Sequence, residues 1–311
     1  MRHSRLWLAL VATTSLCAAT ARAGDFDPQS SLTDQQAAMT AGQTSAVALV
    51  RAYEKRIRQI DQAGPRLNSI IALNPKALQE AREMDAERKA GKVRGPLHGV
   101  TILLKDNVES ADGTATTAGS LALAGNFPKA DAPIVARLRA GGAVVLGKTN
   151  LSEWANYRSS RSISGWSAVG GLVRNPYDLG RTACGSSAGS GAAIAAGLAA
   201  GGIGTETDGS ITCPSSMNSL VGLKPTVGLV SRRQIVPISE SQDTAGPMTR
   251  TVADAAAILS AIAGTDPGDP ATVEADSRRT DYLAALDAGS LKGARIGVLR
   301  ANGGQHLATD K

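Results

Sequence analysis

Between Cys184 and Thr226 the chain reads CGSSAGSGAAIAAGLAAGGIGTETDGSITCPSSMNSLVGLKPT, setting two serines, Ser186 and Ser210, beside glycines in a stretch of small residues. Upstream, the apolar run of GVTILLKDN ends on Lys105. A serine hydroxyl is a poor nucleophile until a base removes its proton. A lysine can be that base where burial disfavours its ammonium form. Histidine offers little here: beyond the first 23 residues the chain holds only His98 and His306. The residue types therefore point to acyl transfer through a Ser-Ser-Lys device.

Such a device needs rigid elements to carry it, and the pattern of apolar residues supplies them. Thr44–Gln62 has Val47, Val50, Tyr53, Ile57 and Ile60 at helical spacing. Leu67–Leu73 reads as a strand, followed by a charged helix to about Lys89 with Asn74 as N-cap and Pro75 at its first position. A strand ending at Lys105, a helix over Ala130–Ala140 and a buried strand over Ala143–Leu146 come next. An Ala-rich helix over Ser190–Leu198, a helix over Val252–Ala263 and a strand over Ala294–Leu299 complete the reading, with Thr265–Thr272 as a surface loop. Alternating strands and helices imply an α/β fold with a covered, partly parallel sheet in one domain.

The Cys184–Thr226 segment resembles the signature of the amidase signature family: a GSS turn, an Ala/Gly-rich helix, then GTxTxGS and GLKPT. The likeness extends through GPLHGVTILLKDN, GAVVLGKTNLSEWAN and SQDTAGPMTRTVADAAAILSAIAG, from about Leu32 to Leu299. ETDGS in place of the usual TGGS, with SEWAN and SISGWSA, is most similar to bacterial peptide amidases, which release ammonia from C-terminal peptide amides. The resemblance implies a mixed twisted β-sheet covered by α-helices. It also implies roles: Ser210 as nucleophile, Ser186 as a cis bridging serine and Lys105 as base. The backbone N–H groups of Thr207, Asp208, Gly209 and Ser210 would form an oxyanion hole. No metal or organic cofactor is implied, and the substrate would be a small amide or peptide amide.

Two features depart from the family pattern. Asp208 stands where most members have glycine, either accepting a hydrogen bond from a substrate NH2 or capping the turn. The chain also stops at Lys311, well before family members do. A C-terminally truncated, catalytically incompetent form is therefore one alternative, and a component of a tRNA-dependent amidotransferase is another.

Competing motifs are weaker. Gly142–Thr149, GAVVLGKT, matches a phosphate-binding loop expression, but Ala-Val-Val-Leu belongs in a buried strand. Gly185–Gly189 matches G-x-S-x-G with Ser187 as nucleophile, which demands a later acid and then a histidine, and only His306 follows. No Cys/His cluster suits zinc.

Composition agrees with a globular enzyme, with 42% hydrophobic and 19% charged residues. Met1–Ala23 reads as an export signal: Arg2 and Arg5, an apolar run over Leu6–Leu16, and Ala21-Arg22-Ala23 before Gly24. The 24–311 remainder is then a periplasmic or secreted amidase domain. Removing Arg2, Arg5 and Arg22 lowers the formal charge from +6 to +3, too dispersed to attract nucleic acid. The pairs Arg232-Arg233 and Arg278-Arg279 read as solvated surface, and the apolar run is short for a stable membrane span. Oligomeric state is not legible. Cys184 and Cys213 admit a disulfide in an oxidising compartment, but the preferred reading is two small buried residues lining tight turns.

Overall fold

The computed structural model describes residues 27–297. Its centre is a six-stranded sheet built from β1 (Ile70–Leu73), β2 (Thr101–Lys105), β3 (Val144–Thr149), β6 (Gly201–Glu206), β7 (Val221–Gly222) and β8 (Thr244–Thr249). Across the sheet the strand order is β1-β3-β2-β6-β8-β7. Two short strands, β4 (Trp166–Ser167) and β5 (Gly171–Leu172), pair separately. β2 runs parallel to both β3 and β6, whereas β1, β8 and β7 join antiparallel. The mixed α/β sheet implied by the family resemblance is present.

Buried on both faces, β2 delivers Lys105 into the interior at the end of its apolar run. Its neighbour β6 carries glycine at 201, 202 and 204, which lets helices close on the sheet. A Cβ on Gly201 would meet Ile258 Cδ1 at 2.7 Å, and one on Gly202 would meet Ile194 Cγ1 at 3.1 Å. The first contact belongs to α7 (Val252–Ile262) on one face, the second to α5 (Ala188–Ala195) on the other. Serine, threonine and aspartate set several helix starts. Ser31 and Asp34 form a capping box at α1 (Leu32–Thr40), Ser45 caps α2 (Ala46–Arg56), and Thr251 caps α7.

Several expectations shift in detail. The helix read over Thr44–Gln62 is α2 followed by a π-helical turn over Ile57–Gln62. The helix read from Pro75 starts two residues later, as α3 (Ala77–Lys89). Asn74 does not cap it in the expected way: Lys76 N–H donates to Asn74 Oδ1 at 2.8 Å, while Nδ2 donates to the Val145 carbonyl of β3 at 2.7 Å. The helix read over Ala130–Ala140 starts at Pro133, as α4 (Pro133–Ala140), because Ala132, the residue before the proline, is non-helical with ψ 146°. Of the strand expected at Ala294–Leu299, residues 294–297 form none and the rest lies outside the described residues. The export signal also falls outside them. Thr265–Thr272, read as a surface loop, ends in a 3-10 turn over Pro270–Thr272 and is buried at Asp266, Asp269 and Thr272. Its carboxylates accept from Arg233 and Arg232, so the first basic pair is not simply solvated surface.

Candidate active site

Lys105 is fully buried at the end of β2. Its Nζ lies 2.6 Å from Ser186 Oγ, 2.9 Å from Thr205 Oγ1 and 3.2 Å from the Thr205 carbonyl. Burial pushes the Lys105 amine down to about 7 from an ordinary value of 10.5, against the opposing pull of the Asp243 and Glu206 carboxylates. Asn107 Nδ2 donates to the same Thr205 hydroxyl at 2.9 Å, so one hydroxyl joins the Lys105 and Asn107 side chains.

Ser186 follows a cis Gly185-Ser186 peptide in the turn before α5. Its carbonyl accepts from Ser152 N–H at 2.9 Å. The neighbouring Ser187 N–H donates to the Ser210 carbonyl at 3.2 Å, which brings the two serine turns into contact. Ser210, only 7% exposed, follows Gly209 between β6 and α6 (Thr212–Met217).

The turn that carries Ser210 is held by a residue not singled out from the sequence. Glu206, at the end of β6, accepts Gly209 N–H at 3.0 Å on one carboxylate oxygen. The other oxygen accepts the N–H groups of Ile211 and Thr212 at 2.7 and 2.8 Å. An acid four residues before a candidate nucleophile, at the end of a strand, was the available signal. Asp208 is exposed and accepts no hydrogen bond among the described residues, so capping falls to Glu206 rather than Asp208. The N–H groups of Thr207, Asp208 and Ser210 likewise have no acceptor among the described residues, whereas that of Gly209 is committed to Glu206. Thr207 Oγ1 donates to Asp243 Oδ1 at 2.5 Å, and the other Asp243 oxygen accepts Ile238 and Ser239 N–H. A cavity of about 290 Å³ opens beside Asn107, Thr205 and Thr207, walled by Ile235, Val236 and Ile238.

Cys184 and Cys213 form a disulfide, with Cα atoms 6.0 Å apart, and are partly exposed. This corrects the preferred reading of two unlinked buried cysteines: the meeting of the two serine turns brings their flanking cysteines together. The competing motifs dissolve. Val144–Thr149 is a buried strand rather than a phosphate loop. Ser187 is fully buried and donates its hydroxyl to the Thr205 carbonyl at 3.1 Å. His98 is buried with Nε2 2.9 Å from the Met84 carbonyl, and His306 lies outside the described residues. A second buried lysine, Lys148, pairs with Asp106 at 3.4 Å. It stands in register with Leu104, and so on the opposite sheet face from Lys105. Among the described residues, no group of three or more His, Cys, Asp or Glu could hold a metal ion, and no helix is long and apolar enough to cross a membrane.

Residues 48–311 match the family model described as Amidase. A putative amidase of Arthroderma benhamiae is 47% identical over 261 residues, covering 83% of this chain and 43% of that one. A probable amidase of Arabidopsis thaliana is 44% identical over 275 residues, covering 87% and 53%. Among solved structures, the native peptide amidase of Stenotrophomonas maltophilia is 60% identical with a TM-score of 0.83, covering 85% and 54%. A peptide amidase has also been solved in complex with the competitive inhibitor chymostatin. The chain spans about half the length of the relatives it matches.

Proposed function

Because this chain belongs to the amidase signature family, we propose that it acts as a serine amide hydrolase through Ser210, cis Ser186 and Lys105, releasing ammonia from C-terminal peptide amides or related carboxamides. The observation that carries the reading is the fully buried Lys105 amine 2.6 Å from Ser186 Oγ. An ammonium would be costly there, whereas an amine pushed down to about 7 can take a proton near neutrality.

In this mechanism Ser186 passes its proton to Lys105 and receives that of Ser210, whose oxygen attacks the substrate carbonyl. The oxygen that gains negative charge is met by the unengaged N–H groups of Thr207, Asp208 and Ser210, with the Gly209 N–H withheld by Glu206. The proton returns through Ser186 to the leaving nitrogen and ammonia departs. Water, deprotonated through the same relay, then releases the acid from Ser210. Thr205 and Asn107 keep Lys105 aimed at Ser186. Asp208, exposed beside the nucleophile and without an intramolecular partner among the described residues, is free to accept a hydrogen bond from a substrate NH2. Similarity to the Stenotrophomonas peptide amidase supports the substrate class. The Cys184–Cys213 bond supports export to an oxidising compartment.

Ammonia release from a C-terminal peptide amide tests the proposal. Wild-type protein should turn over, and Ser210→Ala should not. Undiminished turnover by Ser210→Ala would exclude Ser210 as nucleophile.

A further inference from the structure

The Cys184–Cys213 disulfide closes a loop with a sequence separation of 29. Ser186 lies two residues inside one end of that loop and Ser210 three residues inside the other. Between them lie α5 and β6, and the two serines sit on the turns at the outer ends of these elements. Hydrogen bonds tie the turns together: Ser187 N–H to the Ser210 carbonyl at 3.2 Å, and Asn218 Nδ2 to the Ala183 carbonyl at 2.9 Å. Cys184 has a left-handed backbone with φ 56°, a conformation that a non-glycine residue keeps only when its surroundings impose it. Both cysteines are partly exposed.

We propose that Cys184 and Cys213 are positioning residues for the reaction, their disulfide holding the Ser186 and Ser210 turns against each other so that a proton can pass between the two serines. The inference rests on the Ser-Ser-Lys reading above. Proton relay requires oxygen atoms within about 2.6–3.2 Å, and a misplacement of about 1 Å can cost on the order of a hundredfold in rate. Loosening the tie lets the two turns drift apart while Lys105 stays with Ser186 and the Glu206 carboxylate keeps the Ser210 turn intact. The relay then suffers more than substrate binding. A dithiol reductant opens the bond by supplying two electrons and two protons, leaving two protein thiols and one cyclic disulfide of the reagent. Oxidation restores it.

The test compares oxidised protein, dithiol-reduced protein and the Cys184→Ala/Cys213→Ala double variant. A fluorophosphonate counts competent sites, so that kcat per titrated site is separated from any loss through unfolding. The expected result is a fall in kcat per site of roughly tenfold with KM within about twofold, reversed when the reduced protein is reoxidised. The double variant should match the reduced form and ignore reductant. A kcat per site within about twofold of the oxidised value in both forms, or a change confined to KM, overturns the proposal. If the oxidised protein neither releases ammonia nor takes the fluorophosphonate at Ser210, the Ser-Ser-Lys reading itself fails and this inference with it.

Discussion

Replacing Lys105 by methionine separates what the buried amine costs the fold from what it gives the reaction. The side chain is fully buried, and its amine is pushed from 10.5 to about 7. Between those two values the unfolded chain holds a proton that the folded chain has lost. Stability contributed at this site therefore rises with pH through that window, at about 1.4 kcal/mol per pH unit. Over the whole window the difference amounts to about 5 kcal/mol. Methionine removes this cost, but it leaves the Ser186 hydroxyl and the two Thr205 oxygens without their hydrogen-bond partner, a loss of about 1–3 kcal/mol. Near pH 7 the variant should be inactive and more stable than wild type by about 2 kcal/mol, and its advantage should shrink as pH rises. Urea unfolding of both proteins at pH 7, 8 and 9 measures the difference directly, since every other titrating group cancels to first order. The expected change between pH 7 and pH 9 is about 2 kcal/mol in favour of wild type. A stability difference that stays flat over this range would mean that Lys105 is charged in the folded protein, and the base assignment would be refuted.

Further outcomes follow from the same geometry. Activity of the wild type should fall as pH drops through about 7, because only the neutral amine can accept the Ser186 proton; kcat at pH 5 should be about fiftyfold below that at pH 7, and a profile that keeps rising tenfold per unit beyond pH 9 would contradict it. Ser186→Ala should retain weak activity, reduced by roughly 10²–10⁴, since water can replace part of a relay; wild-type rates would remove Ser186 from it. Glu206→Ala strips an acceptor from three backbone N–H groups and should destabilise the protein by about 2–4 kcal/mol in urea melts, with turnover falling further than the folded fraction does. Gly189→Ala should prevent native packing outright, because a Cβ there lies 2.3 Å from the Asn150 carbonyl and 2.5 Å from that of Ser69; an unchanged melting temperature would show that α5 sits elsewhere.

Legibility in the sequence tracked the physical strength of each signal. The apolar run into Lys105 and the strand before Thr149 were readable because both strands are buried on two faces and written in Val, Ile and Leu. β6 was not, since glycine at 201, 202 and 204 disguises a strand as a loop, and its reason lies in the helices packed on either side. Short β7 and the Pro247-containing β8 carry too little alternation to stand out. At the site, Lys105, Ser186 and Ser210 were legible as residue types within a resemblance. Thr205 and Asn107 were not, because their importance rests on what they touch across the fold, and Glu206 was not, because its local role shows only once the glycine-rich strand that ends on it is known. The disulfide was missed for the same reason. The cysteines stand 29 positions apart in sequence, and only the meeting of two turns joins them.

The central claim is that Ser210 attacks with the help of Ser186 and Lys105. Its most direct test is to react the protein with a fluorophosphonate and map the modified residue by tandem mass spectrometry, alongside Lys105→Ala. Stoichiometric labelling of Ser210, lost or greatly slowed in Lys105→Ala, is the expected result. Labelling of Ser187 instead, or labelling of Ser210 at an undiminished rate without Lys105, would contradict it.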